Sequence, residues 1–225
     1  MRVRVRHTYD FGSDREAIGP DLVRPESWDA ARGTDGPFGL PDSREAWERA
    51  AAAAGLRARA ASIVQLVSEL HGSTLASYGV GTAGLELNIQ RLAPELRLVC
   101  TDYAPRTVER LRALFPEAEV LRHDLRRDEP VAADVHLMHR LDAELSDEAW
   151  HEVFARFEAP VIFVPNAVVG PVAALRELAR RIRGRDLTHA GWYRNDAALR
   201  WLWSPSHRDE PIGVGDASAY LLRRR

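Results

Sequence analysis

Lysine is absent from this chain: all 31 of its basic residues are arginines. That excludes a Schiff-base enzyme, a pyridoxal-phosphate anchor, a Tyr-Lys dehydrogenase pair and a Walker A phosphate lysine. Cysteine occurs once, as Cys100, so no intramolecular disulfide framework and no multi-cysteine zinc site can form. A reducing cytoplasm is the expected compartment. An excess of one charge is missing too. With 31 basic and 33 acidic residues the formal charge is −2, which offers no field to gather nucleic acid or an anionic membrane. Long apolar runs are also lacking. Met1 to Asp10 carries arginines with no hydrophobic segment behind them, so no secretory signal is expected. The alanine-rich stretch 50–70 is interrupted by Arg57, Arg59, Gln65 and Glu69, which makes it a soluble helix rather than a membrane span.

What is present suits an ordinary globular domain. The 225 residues are 45% hydrophobic and 28% charged, and a chain of this length buries roughly 70% of its unfolded surface. Residues 1–43 are rich in Gly, Pro and Asp and read as an irregular arm, a candidate lid. Residues 44–225 read as the domain proper. Ser43 with Glu45 and Glu48 starts a helix that runs to ~70 and breaks near Gly55. Strands at ~74–79, ~97–101, ~118–122, ~133–138 and ~160–164 follow, interspersed with helices at ~84–93, ~105–114, ~146–157 and ~171–183. Short apolar strands among amphipathic helices predict an α/β fold with a mostly parallel sheet covered on both faces. The end of the chain predicts a strand over Leu187–Arg194, a short helix over Asp196–Trp203 and a strand over Ala217–Leu222. Pro205, Pro211, Gly213 and Gly215 read as loop between the last two.

The sharpest motif is Ser73-Thr-Leu-Ala-Ser-Tyr-Gly79-Val-Gly81-Thr-Ala-Gly84-Leu-Glu86, a strand that runs into glycines opening a helix. Gly79 permits a tight turn, Gly81 lets backbone approach a ligand, and Gly84 lets the helix pack closely. The helix N-terminus adds unpaired N–H groups. A strand ending in Asp102 lies 18 positions beyond Gly84, and a carboxylate there can accept both hydroxyls of a ribose. A nucleoside cofactor follows from this pattern.

These motifs, in this order, resemble the class I S-adenosylmethionine-dependent methyltransferases over roughly residues 60–223. The segment 77–84 is similar to the family's first motif, Leu98-Val-Cys-Thr-Asp102-Tyr103 to its second-strand acidic motif, and Val120-Leu-Arg-His-Asp124-Leu125 to the segment that holds adenine. The resemblance implies a Rossmann-like, seven-stranded, mostly parallel sheet whose antiparallel last strand inserts beside the sixth, and S-adenosylmethionine as cofactor. It implies that Ser77, Tyr78, Gly79, Gly81 and Gly84 belong to the cofactor site, with Gly79 and Gly81 approaching the methionine part, that Asp102 binds ribose, that Tyr103 lies against adenine, and that Asp124, followed by Leu125 in the same site, meets the adenine amino group. Two positions depart from the family pattern. Ser77 stands where an acid is usual, and the third glycine is displaced from position 83, which is alanine, to Gly84.

In open parallel sheets the ligand sits beyond the carboxyl ends of the strands. Residues 137–142, Pro165-Asn166 and Gly191-Trp192-Tyr193-Arg194 are therefore expected near the transferred methyl group. His139, which would also touch the cofactor, is the candidate base, with Asp142 orienting it. Asp142 and Asn166 alone are too few ligands for magnesium, so transfer without a metal is expected. Trp192 and Tyr193 are candidates for a pocket wall, whereas Trp201 and Trp203 lie at helical spacing and read as core. The expected activity is methyl transfer to a small-molecule acceptor, with natural-product tailoring as one such setting, and with no nucleic-acid or membrane partner. Two alternatives stay open: a cofactor-binding or partner module of the same fold without turnover, and a nicotinamide-dependent oxidoreductase, whose fingerprint the glycines and Asp102 also satisfy.

Overall fold

The computed structural model describes residues 1–7, 25–33, 38–182 and 191–225. The predicted strand over Leu187–Arg194 therefore lies in part outside the described residues, as do Gly12, Gly19-Pro20 and Gly36-Pro37 of the arm.

The elements are β1 (Arg4–His7), α1 (Pro25–Arg32), α2 (Arg44–Ala51), α3 (Ala54–Glu69), β2 (Thr74–Tyr78), α4 (Gly84–Leu92), β3 (Arg97–Asp102), α5 (Pro105–Leu114), β4 (Glu119–Arg122), β5 (Val135–His139), α6 (Asp147–Ala155), β6 (Val161–Val164), α7 (Pro171–Ile182), β7 (Gly191–Arg194), α8 (Asp196–Trp203), β8 (His207–Val214) and β9 (Ala217–Arg224). Helix starts follow capping chemistry. Ser43, Ser146 and Asn195 accept from the Ala46, Ala149 and Ala198 amides, which would otherwise have no partner in the first turn. The break between α2 and α3 comes where Ala53 turns extended, two residues before Gly55.

Seven strands form one sheet in the order β4-β3-β2-β5-β6-β9-β8. The five from β4 to β6 run parallel, and β9 lies antiparallel between β6 and β8. The expected seven-stranded α/β architecture is therefore present. Successive strand residues point to opposite faces. Leu75, Leu137, Ile162 and Leu221 pack with Trp47, Ile63 and Leu111 of α2, α3 and α5, while Ala76, Met138, Phe163 and Leu222 pack with Trp150, Phe154, Leu202 and Trp203 of α6 and α8. Helices thus cover both faces.

Two expectations are corrected. The partner of β9 is β8, over residues read as loop. Pro211 lacks the N–H that a central strand needs, but β8 is the edge of the sheet, where proline is tolerated. Gly215, at φ +58°, closes the two-residue turn of this hairpin. The strand reaching Arg194 leaves the main sheet and pairs antiparallel with β1 in a two-stranded sheet of its own. The arm is accordingly not irregular throughout, since it supplies both β1 and α1.

Candidate functional site

The strand order reverses at β2, whose neighbours β3 and β5 carry the chain in opposite directions along the sheet. A crevice forms beyond the strand ends at such a switch point. Here it holds a cavity of about 320 Å³, lined from the glycine turn by Gly79, Gly81 and Thr82, from the β3 end by Asp102 and Tyr103, and from the β4 end by His123, Asp124, Leu125 and Arg126. His139, Arg140, Leu141, Glu144 and Leu145 follow β5, Asn166 follows β6, and Trp28, Arg32 and Phe38 come from the arm.

The turn has the conformation its glycines allow. Gly79 and Gly81 sit at φ +60° and +59°, and a Cβ on Gly79 would stand 2.4 Å from Leu141 Cδ2. Ala83 also takes a left-handed φ of +51°, so the position that carries glycine in the family pattern keeps its backbone shape here with an alanine. Gly84 lets α4 pack on α2 and α3: a Cβ there would lie 3.3 Å from Leu56 Cδ1 of α3 and 3.5 Å from Ala51 Cβ of α2.

Asp102 is 2% exposed and ties the turn to β3. Its Oδ2 accepts from Gly81 N at 3.0 Å and its Oδ1 from Ala104 N at 3.0 Å. A carboxylate has about four lone-pair positions, so capacity remains for a ligand on the cavity side. Asp124 reaches the wall already engaged by Arg126, whose Nε and Nη2 donate to it at 2.8 and 2.7 Å. Burial pushes its carboxyl up, but the Arg126 hydrogen bonds and charge outweigh this and hold it below the usual range. Tyr103 lies under the Arg126 guanidinium, 5.4 Å from its ring centre.

Of the ten residues expected at the cofactor, Gly79, Gly81, Asp102, Tyr103, Asp124, Leu125 and His139 line the cavity, whereas Ser77, Tyr78 and Gly84 do not. Ser77 is fully buried and donates to Glu86 Oε1 at 2.7 Å. The nearest carboxyl to position 77 is therefore Glu86 in the first turn of α4, which lies behind the glycine turn and does not line the cavity. Burial, resisted in part by the Ser77 hydrogen bond, pushes Glu86 up to about 7. Tyr78 faces the opposite layer, where its hydroxyl accepts from Val131 N at 3.0 Å and meets His136 Nδ1 at 3.2 Å.

At the β5 end His139 lines the cavity with its Nε2 3.5 Å from Arg59 Nη1. Burial, then the charges of Arg140 and Arg59, push it down to about 3, so it stands neutral. Arg140 holds a left-handed φ of +62°, an unusual state for a side-chain-bearing residue and one that concentrates at ligand sites. Asp142 does not orient His139. It is fully buried, and its Oδ1 accepts from Asn166 N at 2.6 Å, which fixes the loop after β6. Burial, opposed by that bond and by Arg194, raises it to about 6. Trp192 and Tyr193 are likewise absent from the cavity, because β7 belongs to the small sheet; the aromatic wall consists of Trp28, Phe38, Tyr103 and Trp150. Among the described residues no group of three His, Cys, Asp or Glu is placed to hold a metal ion, and no helix is long and apolar enough to cross a membrane.

No protein-family model and no curated protein matches the sequence. Solved structures do. Human N-acetylserotonin methyltransferase, in complex with SAM, matches with a TM-score of 0.62 at 14% identity, over 95% of this chain and 60% of that one. The mitomycin 7-O-methyltransferase MmcR matches at 0.56 and 17%, over 95% and 76%. A methyltransferase of calicheamicin biosynthesis, in its SAH-bound form, matches at 0.51 and 24%, over 74% and 54%. The chain thus spans 60% of the first of these relatives and about half of the last. The chain has the class I S-adenosylmethionine-dependent methyltransferase fold.

Proposed function

We propose that the protein transfers a methyl group from S-adenosylmethionine to a small-molecule acceptor. One observation carries this: a glycine turn held left-handed at Gly79 and Gly81 opens into the cavity directly beside the buried Asp102 carboxylate of the neighbouring strand. The donor set suits the cofactor, with the glycine turn bordering the cavity for the amino-acid end, Asp102 for ribose hydroxyls, and Tyr103 and Leu125 for the flat face of adenine. When bound, the cofactor supplies an electrophilic methyl on a sulfonium. The protein aligns the acceptor with it and excludes water, and this alignment supplies most of the rate in a displacement of this type. His139 meets the acceptor as a neutral hydrogen-bond acceptor. Two guanidiniums beside it disfavour a lasting imidazolium, so acidic hydroxyls suit the site better than alcohols. The known acceptors named for the structural relatives, among them N-acetylserotonin and mitomycin, support a small-molecule acceptor of the O-methyltransferase kind, including one in natural-product tailoring.

A second reading, a cofactor-binding module without turnover, is favoured by the depressed basicity of His139 and by the seat of Asp142 away from it. Titration calorimetry with S-adenosylhomocysteine and with NAD, followed by transfer of a labelled methyl group to a panel of phenols, separates the readings. Homocysteine-form binding with NAD silent and label on a phenol is expected. Binding without any transfer favours the module, and NAD binding alone ends the proposal.

A further inference from the structure

Helix α1 is fixed to the domain through the Asp29 carboxylate and the Arg32 backbone carbonyl. Asp29 caps α5 by accepting from Arg106 N at 3.2 Å and from Thr107 N at 2.9 Å, and Arg110 Nη1 donates to the Arg32 carbonyl at 3.0 Å. The Arg32 side chain, 10% exposed, is thereby aimed over the glycine turn, with its guanidinium 3.1–3.2 Å from where a Cβ on Gly81 would stand and its Cζ 4.9 Å from the centre of the Trp28 ring. The nearest carboxylate oxygen, Asp102 Oδ2, is 3.9 Å from Nη2, beyond hydrogen-bond reach, and already accepts from Gly81 N. Among the described residues the guanidinium donates no hydrogen bond, and its buried Nε has no acceptor. A buried guanidinium Nε without an acceptor is unusual in a folded protein, and the rest of the fork borders the cavity with its donors uncommitted.

We infer that Arg32 recognises the carboxylate at the amino-acid end of the cofactor, an assignment that rests on the S-adenosylmethionine reading above. A planar guanidinium fork matches a carboxylate with two parallel hydrogen bonds. Of the groups on S-adenosylmethionine the carboxylate alone is anionic, so it is the one that answers a guanidinium. The position agrees. Arg32 stands on the turn after β2, where the amino-acid end belongs, and not at the ends of β5 and β6, where His139 and Asn166 mark the acceptor side. In the free protein Asp102 balances the charge of Arg32 at a distance; once ribose hydroxyls engage Asp102, the fork turns to the ligand carboxylate. The arm is then part of the binding site, and it makes affinity depend on the amino-acid moiety.

The test is titration calorimetry of the full chain with two probes, S-adenosylhomocysteine and 5′-methylthioadenosine, the second of which keeps adenine and ribose but lacks the amino acid. Arg32→Leu is expected to weaken the first by about tenfold or more and to leave the second unchanged. Arg32→Lys keeps the charge without the fork and is expected to fall between, again with methylthioadenosine unchanged; it carries the comparison alone if the leucine variant does not fold. Equal weakening of both probes overturns the assignment in favour of a packing role, and tightening of both overturns it in favour of a plug. Wild-type protein that binds neither probe removes the cofactor reading itself, whereas wild-type binding of both with no effect of Arg32→Leu removes only the role of Arg32.

Discussion

At the scale of single residues the site is organised by two buried carboxyls that do different work. Asp102 faces the cavity with capacity for further hydrogen bonds, while Glu86 lies behind the turn against Ser77. Asp102→Ala is predicted to weaken S-adenosylhomocysteine binding by about tenfold or more, since charge-assisted bonds to two hydroxyls are lost along with the tie to Gly81 N; calorimetry measures it directly. Glu86 is predicted to act on stability. Its folded value of about 7 lies above the ordinary 4.5, so the folded state keeps a proton that the unfolded chain has released. That contribution is complete below pH 4.5 and is lost as pH rises through 7, a change on the order of 3 kcal/mol in unfolding free energy. Asp142 acts in the same direction up to about pH 6. His136 and His139, pushed down by burial to about 4 and 3, act in the opposite sense, because the unfolded chain holds their protons up to about pH 6.5. The test is therefore the difference between variants: in urea titrations the stability of wild type relative to Glu86→Gln should fall as pH rises from 4.5 to 7, and a difference that stays constant over that range contradicts it. The sequence pointed to Asp102 because a carboxylate at a strand end has a fixed spacing from the glycines. Glu86 and Arg32 escaped it because one is an ordinary acid in a helix's first turn and the other a lone arginine in a Gly- and Pro-rich segment, and both acquire meaning only from what they face.

Among the elements, the core strands and helices were legible because burial on two faces leaves continuous apolar runs, as in Val161–Val164, and because caps such as Ser43 and Ser146 mark helix starts. The edge was not. In β8 the burial alternates and Pro211 interrupts the pattern, so a strand stabilised by its partner β9 reads locally as loop. The small sheet was hidden for a related reason: β1 and β7 pair across nearly the whole chain and no local signal specifies such a pairing. That sheet has a structural duty. Arg194 of β7, fully buried, binds Asp147 at 2.7 Å and donates to the Leu145 carbonyl at 2.9 Å, and also to the Asp142 carbonyl, which fastens the loop carrying Leu141, Glu144 and Leu145 along the cavity. Arg194→Met is predicted to destabilise the fold by on the order of 3 kcal/mol, because Asp147 and the Asp142, Leu145 and Trp192 carbonyls each lose a donor from a fully buried guanidinium. Thermal unfolding reads it as a drop of about 2–4 °C per kcal/mol, and an unchanged Tm contradicts it.

For the molecule as a whole, the arm, the sheet and the loops after its strands converge on one cavity. Cys100 is inert in this account, its thiol pushed up by burial and by Glu86. The most direct measurement is a crystal structure of the protein with S-adenosylhomocysteine. The ribose is predicted on Asp102, the amino-acid chain along Gly79 and Gly81 beneath Arg32, and the sulfur directed toward His139. Density for the ligand elsewhere, or saturating ligand with this cavity filled only by the protein's own side chains, contradicts it.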